Sequence, residues 1–189
     1  MSYASNAGTF LIETLMGLLM LVFLLRLLFQ IVRADFQNPV SQFVVKVTSP
    51  VLVPLRRVIP GVAGVDMASI LVLFLLQYAE LFLLTLVLGV EFFALGMVVI
   101  AIAKLIGLVI MVFTVSILIQ VVISWVNPGA YNPVTTLLYQ LNEPVLGRAR
   151  KIIPPIHGFD LSPIVAMIVL QLISMLVVAP ISDFGASLR

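Results

Sequence analysis

Asn38-Pro39, Pro50, Arg56-Arg57, Pro60 and Asp66 recur as Asn132-Pro133, Pro144, Arg150-Lys151, Pro154 and Asp160, each displaced by 94 residues with no gap. The same offset joins Ile59 to Ile153, Gly64 to Gly158 and, beyond the motif, Gln77 to Gln171. A constant displacement over about forty residues marks an internal duplication. Whatever fold one copy adopts, the other must adopt beside it.

The runs between these stretches set the medium. Of 189 residues, 62% are hydrophobic and only 10% charged, too few polar groups to cover a soluble domain. The chain reads as an integral membrane protein. About 20 apolar residues cross about 30 Å of hydrocarbon, which places spans at 10–32, 67–89, 104–126 and 162–181. The repeat registers the third span, because 10–32 maps onto 104–126. Residues 90–103 are then an apolar outer connector, helical and lying in or dipping into the membrane, with Lys104 at the outer mouth of the span. The fold class expected is an all-α membrane protein of four transmembrane helices. They form two tandem repeats, 1–89 and 104–189, with short amphipathic surface helices on the cytoplasmic side. Two spans per repeat give both copies one orientation, hence parallel repeats about a pseudo-two-fold axis along the membrane normal.

Seven of the ten Lys/Arg lie in the loops 33–66 and 127–161: Arg33, Lys46, Arg56, Arg57, Arg148, Arg150 and Lys151. Basic loops of this length stay in the cytoplasm, so both termini and the connector are expected in the periplasm. Nine of the eleven prolines share these loops, which predicts shaped structures there. Asn38 and Asn132 are expected to N-cap helices that begin with proline, whose missing N–H would be unpaired there anyway. Val40, Phe43, Val44 and Val47, and in the second copy Val134, Leu137, Leu138 and Leu141, follow at helical spacing. Pro50 and Pro144 are expected to end these segments. A second short amphipathic unit follows in each loop, with Leu52 and Leu55, or Leu146 and Ala149, opposite the Arg/Lys cluster. Asp66 and Asp160 are expected to cap the second span of each repeat. The absence of cysteine excludes disulfides, thiolate metal sites and covalently attached haem. No Lys or Arg precedes Arg26, so the first apolar run is expected to stay in the mature protein.

A first span carrying Leu24-Leu25-Arg26, then Asp35-Phe36-Gln37-Asn38-Pro39, then 41–48 (Ser-Gln-Phe-Val-Val-Lys-Val-Thr), and Pro54-Leu55-Arg56-Arg57-Val58-Ile59-Pro60 closely resembles the YggT (YlmG-like) membrane proteins. The likeness covers nearly the whole chain and is most specific over 35–66. In the second copy Gly147 and Arg148 replace Val53 and Pro54, so the Pro-Leu-Arg-Arg signature occurs once. The resemblance implies a bacterial inner-membrane protein without established catalytic residues. It associates bacterial relatives with osmotic tolerance and ion homeostasis. Plastid and cyanobacterial relatives are associated with division, nucleoid organisation and cytochrome complex assembly.

Three groups of residues are candidates for chemistry. Lys46, Arg56, Arg57, Arg148, Arg150 and Lys151 form a docking surface for lipid or a partner, each cation gaining roughly 1 kcal/mol from anionic lipid. The plainer reading makes them topology anchors. Arg26, Glu80 and Lys104 are ionisable groups in the membrane, each costing about 2.5–3.5 kcal/mol to insert. Arg26, about 10 Å below the inner surface, is within snorkelling reach of it. Glu80 needs a protein partner, water or a proton, and serves either an ion path or a structural pair. His157 lacks the further ligands that a metal requires. No paired carboxylates, nucleophile–base set or phosphate loop appears, so no enzyme, metal, cofactor or nucleic-acid partner is expected. The function expected is that of a non-enzymatic inner-membrane accessory protein, working on anionic lipids, a membrane-protein partner or a second copy. The alternative is a small transporter or channel component in ion homeostasis.

Overall fold

The computed structural model describes residues 3–127, 129, 131–154 and 160–188. They form α1 (Tyr3–Ile31), α2 (Pro39–Arg56), α3 (Met67–Leu88), α4 (Ala94–Val126), α5 (Pro133–Ile152), α6 (Ser162–Ile173), a π-helical turn (Ser174–Val178) and α7 (Ala179–Ser187). Among the described residues four helical stretches are long and apolar enough to cross a membrane: α1, α3, α4 and the continuous run Ser162–Ser187. Their exposed Leu, Ile, Val and Phe side chains suit hydrocarbon and would not suit water. This is an all-α membrane protein.

α1 packs along α3, α3 against α4, and α4 against α6–α7. One core joins Phe23, Leu24 and Leu27 of α1, Leu52 of α2, and Val72 and Leu73 of α3. Another joins Ile110 and Ile117 of α4, Leu146 and Ala149 of α5, and Ala166 and Leu170 of α6. The short helices are thus seated in the same way, α2 beneath α1 and α3, α5 beneath α4 and α6. Between α1 and α4 lies an apolar groove of about 290 Å³.

Three boundaries differ from the sequence expectation. The connector expected at 90–103 is, from Ala94 on, the first part of α4. No proline interrupts it, and Gly96 meets the backbone of Gly185 on α7 so closely that a Cβ would collide with it. At roughly 1.5 Å per residue α4 is about 50 Å long, well beyond the hydrocarbon thickness. Neither Pro50 nor Pro144 ends a helix. α2 continues through Pro50 and Pro54, and α5 through Pro144. All three prolines sit on exposed faces, where solvent or headgroups satisfy the carbonyl left without a partner, and the buried face holds each helix through the break. The Thr48 and Ser49 hydroxyls add bonds to the Val44 and Val45 carbonyls just before Pro50. The fourth span runs to Ser187 instead of ending at Pro180 and Ile181. Pro180 would deprive Leu176 of an α-helical bond, and the π turn directly before it changes the hydrogen-bond register.

Candidate functional site at the surface helices

The short helices α2 and α5 each start on an asparagine cap. Asn38 Oδ1 accepts from Val40 N at 2.9 Å. Asn132 Oδ1 accepts from Val134 N and Thr135 N, both at 3.0 Å, and Asn132 N donates in turn to Thr135 Oγ1. Beyond the caps, Ser41, Thr48 and Leu52 are buried on α2, and their counterparts Thr135, Asn142 and Leu146 are buried on α5. Phe43, Val47 and Lys46 face outward from α2.

Two of these buried polar residues, Thr48 and Asn142, meet the long helix that precedes them. Arg26 Nη1 of α1 donates to Thr48 Oγ1 at 3.2 Å. In the second copy Asn142 Nδ2 donates to Gln120 Oε1 of α4 at 2.8 Å, and Asn142 Oδ1 accepts from Ser116 Oγ at 2.6 Å. Arg26 and Gln120 are 94 residues apart, as are Thr48 and Asn142. Arg26 is 7% exposed, so it does not snorkel as the sequence allowed. It turns inward, where Thr48 of α2 supplies an acceptor. Gln120, Asn142, Ser116 and Ser69 were not among the sequence candidates. The offset applied to Arg26 would have found Gln120.

A second contact also recurs. After α2 the chain reverses at Ala63-Gly64, both with positive φ, while Val62 and Val65 pair across the turn. This returns Asp66 to Arg56, whose Nε lies 3.1 Å from Asp66 Oδ2 and whose Nη2 bonds the same oxygen. Ser69 Oγ donates there too. Asp66 holds the N-cap position of α3, but its carboxylate bonds Arg56 and Ser69 instead of closing the cap. Burial alone would raise the Asp66 carboxyl. The bonds from Arg56 and Ser69 outweigh burial and hold it below the usual carboxylate range. In the second copy Arg150 Nε lies 3.3 Å from Asp160 Oδ2, while Asp160 Oδ1 accepts from Ser162 N at 2.8 Å. Arg150 also forms a two-pronged pair with Glu143 at 3.1 and 3.0 Å. That pair raises its pKa further, against the effect of burial.

The six candidate docking cations therefore divide. Arg56 and Arg150 are held by carboxylates of their own loops. Lys46, Arg57, Arg148 and Lys151 are exposed, Arg148 also donating to the Pro144 carbonyl at 3.0 Å. Higher in the bundle, Glu80 is buried between Gln77 Nε2 at 2.8 Å and Lys104 Nζ at 3.4 Å, so Lys104 and not Arg26 is the cation that faces it. Among the described residues no group of His, Cys, Asp and Glu is arranged to hold a metal. His157 lies outside the described residues.

The family model described as CCB3/YggT matches the chain twice, over residues 5–87 and 99–181, the second match displaced by the same 94 residues. An uncharacterised protein of Pseudomonas aeruginosa is 43% identical over 92% of this chain and 89% of its own length. The uncharacterised protein YggT of Escherichia coli K12 is 39% identical over 90% of this chain and 88% of its own. An uncharacterised protein of Haemophilus influenzae is 36% identical over 84% of each. No solved structure matches the chain. With both halves matched and such identity along nearly its whole length, the chain belongs to the CCB3/YggT family.

Proposed function

We propose that this is a non-enzymatic accessory protein of the bacterial inner membrane, built as two parallel tandem repeats. In this reading α2 and α5 are amphipathic helices at the inner headgroup boundary, and they gather anionic lipid or an acidic partner through their basic faces. Envelope homeostasis under osmotic load is the physiological setting. One observation carries the reading. Arg56 and Arg150 are tied to carboxylates, whereas Lys46, Arg57, Arg148 and Lys151 stay exposed on the same two loops. Cations that served only the fold would be paired like the first two. Two exposed clusters on one rigid body bind an anionic surface more tightly than one, because the second contact is intramolecular.

The test is native mass spectrometry of the full-length protein extracted with its lipids. Replacing Lys46, Arg57, Arg148 and Lys151 by Gln should cut retained anionic lipid at least about tenfold, given roughly 1 kcal/mol per cation, without loss of insertion. Unchanged retention would reduce these residues to topology anchors.

The pair of buried Glu80 with partly open Lys104 favours a second reading, a small transporter or channel component in ion homeostasis. Ionisable groups inside a membrane often mark ion paths. Ion flux in proteoliposomes that disappears with Glu80→Gln would establish it over the first.

A further inference from the structure

The α3–α4 contact joins the second span of one 94-residue unit to the first span of the other. Its polar centre is Glu80, held by Gln77 and Lys104. Around it Leu105, Val109 and Val112 of α4 pack on the core shared by α1 and α3. A closed two-fold pair of units would make this contact again, between α6–α7 and α1. Among the described residues it does not form within the chain. α1 and α6–α7 share no packing of comparable extent, and no α1 residue joins the core around Ala166 and Leu170.

The two halves of the missing contact are both open. On α1, Phe10, Leu11, Leu15 and Leu18 are exposed; they are the counterparts of Lys104, Leu105, Val109 and Val112. On α6, Gln171 is exposed among Ile168, Leu172 and Met175, although its counterpart Gln77 is 3% exposed. The run carrying Gln171 is the least buried of the four spans. An amide facing hydrocarbon is costly, because lipid tails offer neither donor nor acceptor. The surface helices carry the same one-sidedness. Asn38 Nδ2 donates to the Pro133 carbonyl at 2.7 Å, and Asn38 is buried. Asn132 is exposed, and among the described residues no matching bond joins it to Pro39.

We propose that copies of this chain associate head to tail in the membrane plane. The α6–α7 face of one copy packs on the α1 face of the next and repeats the α3–α4 contact, while Asn132 of the first reaches toward the Pro39 carbonyl of that next copy. The occupant is a second copy because the chain itself supplies the matching surface. α1 stands to α6–α7 as α4 stands to α3, and one operation extends the span contact and the asparagine contact together. Each copy offers one face of each kind, so the interface is heterologous.

Cysteine cross-linking tests this directly, since the chain has no cysteine of its own. The Glu80–Lys104 contact at 3.4 Å, displaced by 94 residues, becomes Ser174 and Phe10. Full-length protein carrying both Phe10→Cys and Ser174→Cys, treated in native membranes with a bis-maleimide whose arm spans the reach of the two long side chains, should give a ladder in steps of 20.6 kDa. Coexpressed single variants should stop at the dimer, and either single variant alone should stay monomeric. A dimer from one single variant alone would mean face-to-face pairing and overturn the proposal. A cross-link confined within one chain would mean a closed unit and overturn it as well. Step counting by single-molecule photobleaching of tagged protein without cysteine substitutions is independent of those substitutions. Several steps per spot are expected, and single-step bleaching at native density would also overturn the proposal.

Discussion

Asn142 on α5 donates to Gln120 on α4 at 2.8 Å, at the positions 94 residues beyond Thr48 on α2 and Arg26 on α1. The two pairs share no residue type, yet each ties a short helix, α2 or α5, to the long helix that precedes it. What recurs is a polar clasp at the same pair of positions, made by different side chains in each half.

Asn142 is fully buried, so removing it should be costly. Asn142→Ala leaves the Gln120 carbonyl without its donor, while the Ser116 hydroxyl keeps the Phe113 carbonyl as acceptor, and one unpaired group in the interior costs about 1–3 kcal/mol. Thermal unfolding in detergent should register that loss. A double-mutant cycle with Gln120→Ala should give a smaller combined effect than the two single losses added.

Adjacent arginines should behave oppositely. Arg56→Gln breaks the pair with Asp66, which is 4% exposed. Because Arg56 itself is partly exposed, the expected cost is about 1–3 kcal/mol, below that of breaking a fully buried pair. Arg57→Gln, at an exposed site, should stay within about 0.5 kcal/mol. Equal unfolding temperatures for the two variants would show that the Arg56–Asp66 pair contributes nothing to the fold.

The spans were legible because a run of apolar residues is a property of each run alone. The caps at Asn38 and Asn132 were legible for the same reason. Residues whose fate depends on a distant neighbour were not. A proline costs a helix about 3 kcal/mol locally, but the buried face formed by Ser41, Val44, Thr48 and Leu52 holds α2 together through Pro50. Arg26 turns inward only because Thr48 lies beneath it, and snorkelling considers the membrane alone. The division of the docking cations was invisible for a similar reason. Nothing in the spacing of Arg56 and Arg57 tells which one the Ala63-Gly64 reversal will bring to Asp66.

Acid should weaken the first loop at Asp66. Its folded pKa is depressed, so the stabilisation is fully present above the unfolded value, about 3.9. It is lost as pH falls through the lower folded value. Stability measured from about pH 6 downward should therefore begin to drop near pH ~4 in the parent protein. Asp66→Asn should remove that part of the acid dependence and lower stability at the neutral end of the range. A parallel decline in both proteins would place the acid sensitivity elsewhere.

The basic loops should lie in the cytoplasm with Ser187 and Leu188 on the other side. Arg33, Lys46, Arg57, Arg148 and Lys151 are all exposed and all at the loop end of the bundle, while the far end carries Glu91 and Asp183. Short loops rich in Lys and Arg resist translocation. Reporter fusions at Gly61 should be active only as cytoplasmic reporters, and fusions at Leu188 only as periplasmic ones. A periplasmic signal at Gly61 would invert the topology.

Glu80 and Lys104 should be unequal partners in mutation. Glu80 is 5% exposed, whereas the Lys104 side chain is partly open. Lys104→Met leaves a buried carboxylate with Gln77 as its remaining bonded partner, and an unpaired buried charge is strongly destabilising. Glu80→Gln leaves instead an ammonium on a long, partly exposed stem, which can extend toward solvent or headgroups. Lys104→Met should therefore lower the unfolding temperature more than Glu80→Gln. The double variant should regain most of the difference, because it removes both charges and leaves the Gln77 amide facing a second neutral amide in place of the carboxylate. If the double variant proved less stable than Lys104→Met alone, the pair would be a net stabiliser and not a retained charge that costs the fold.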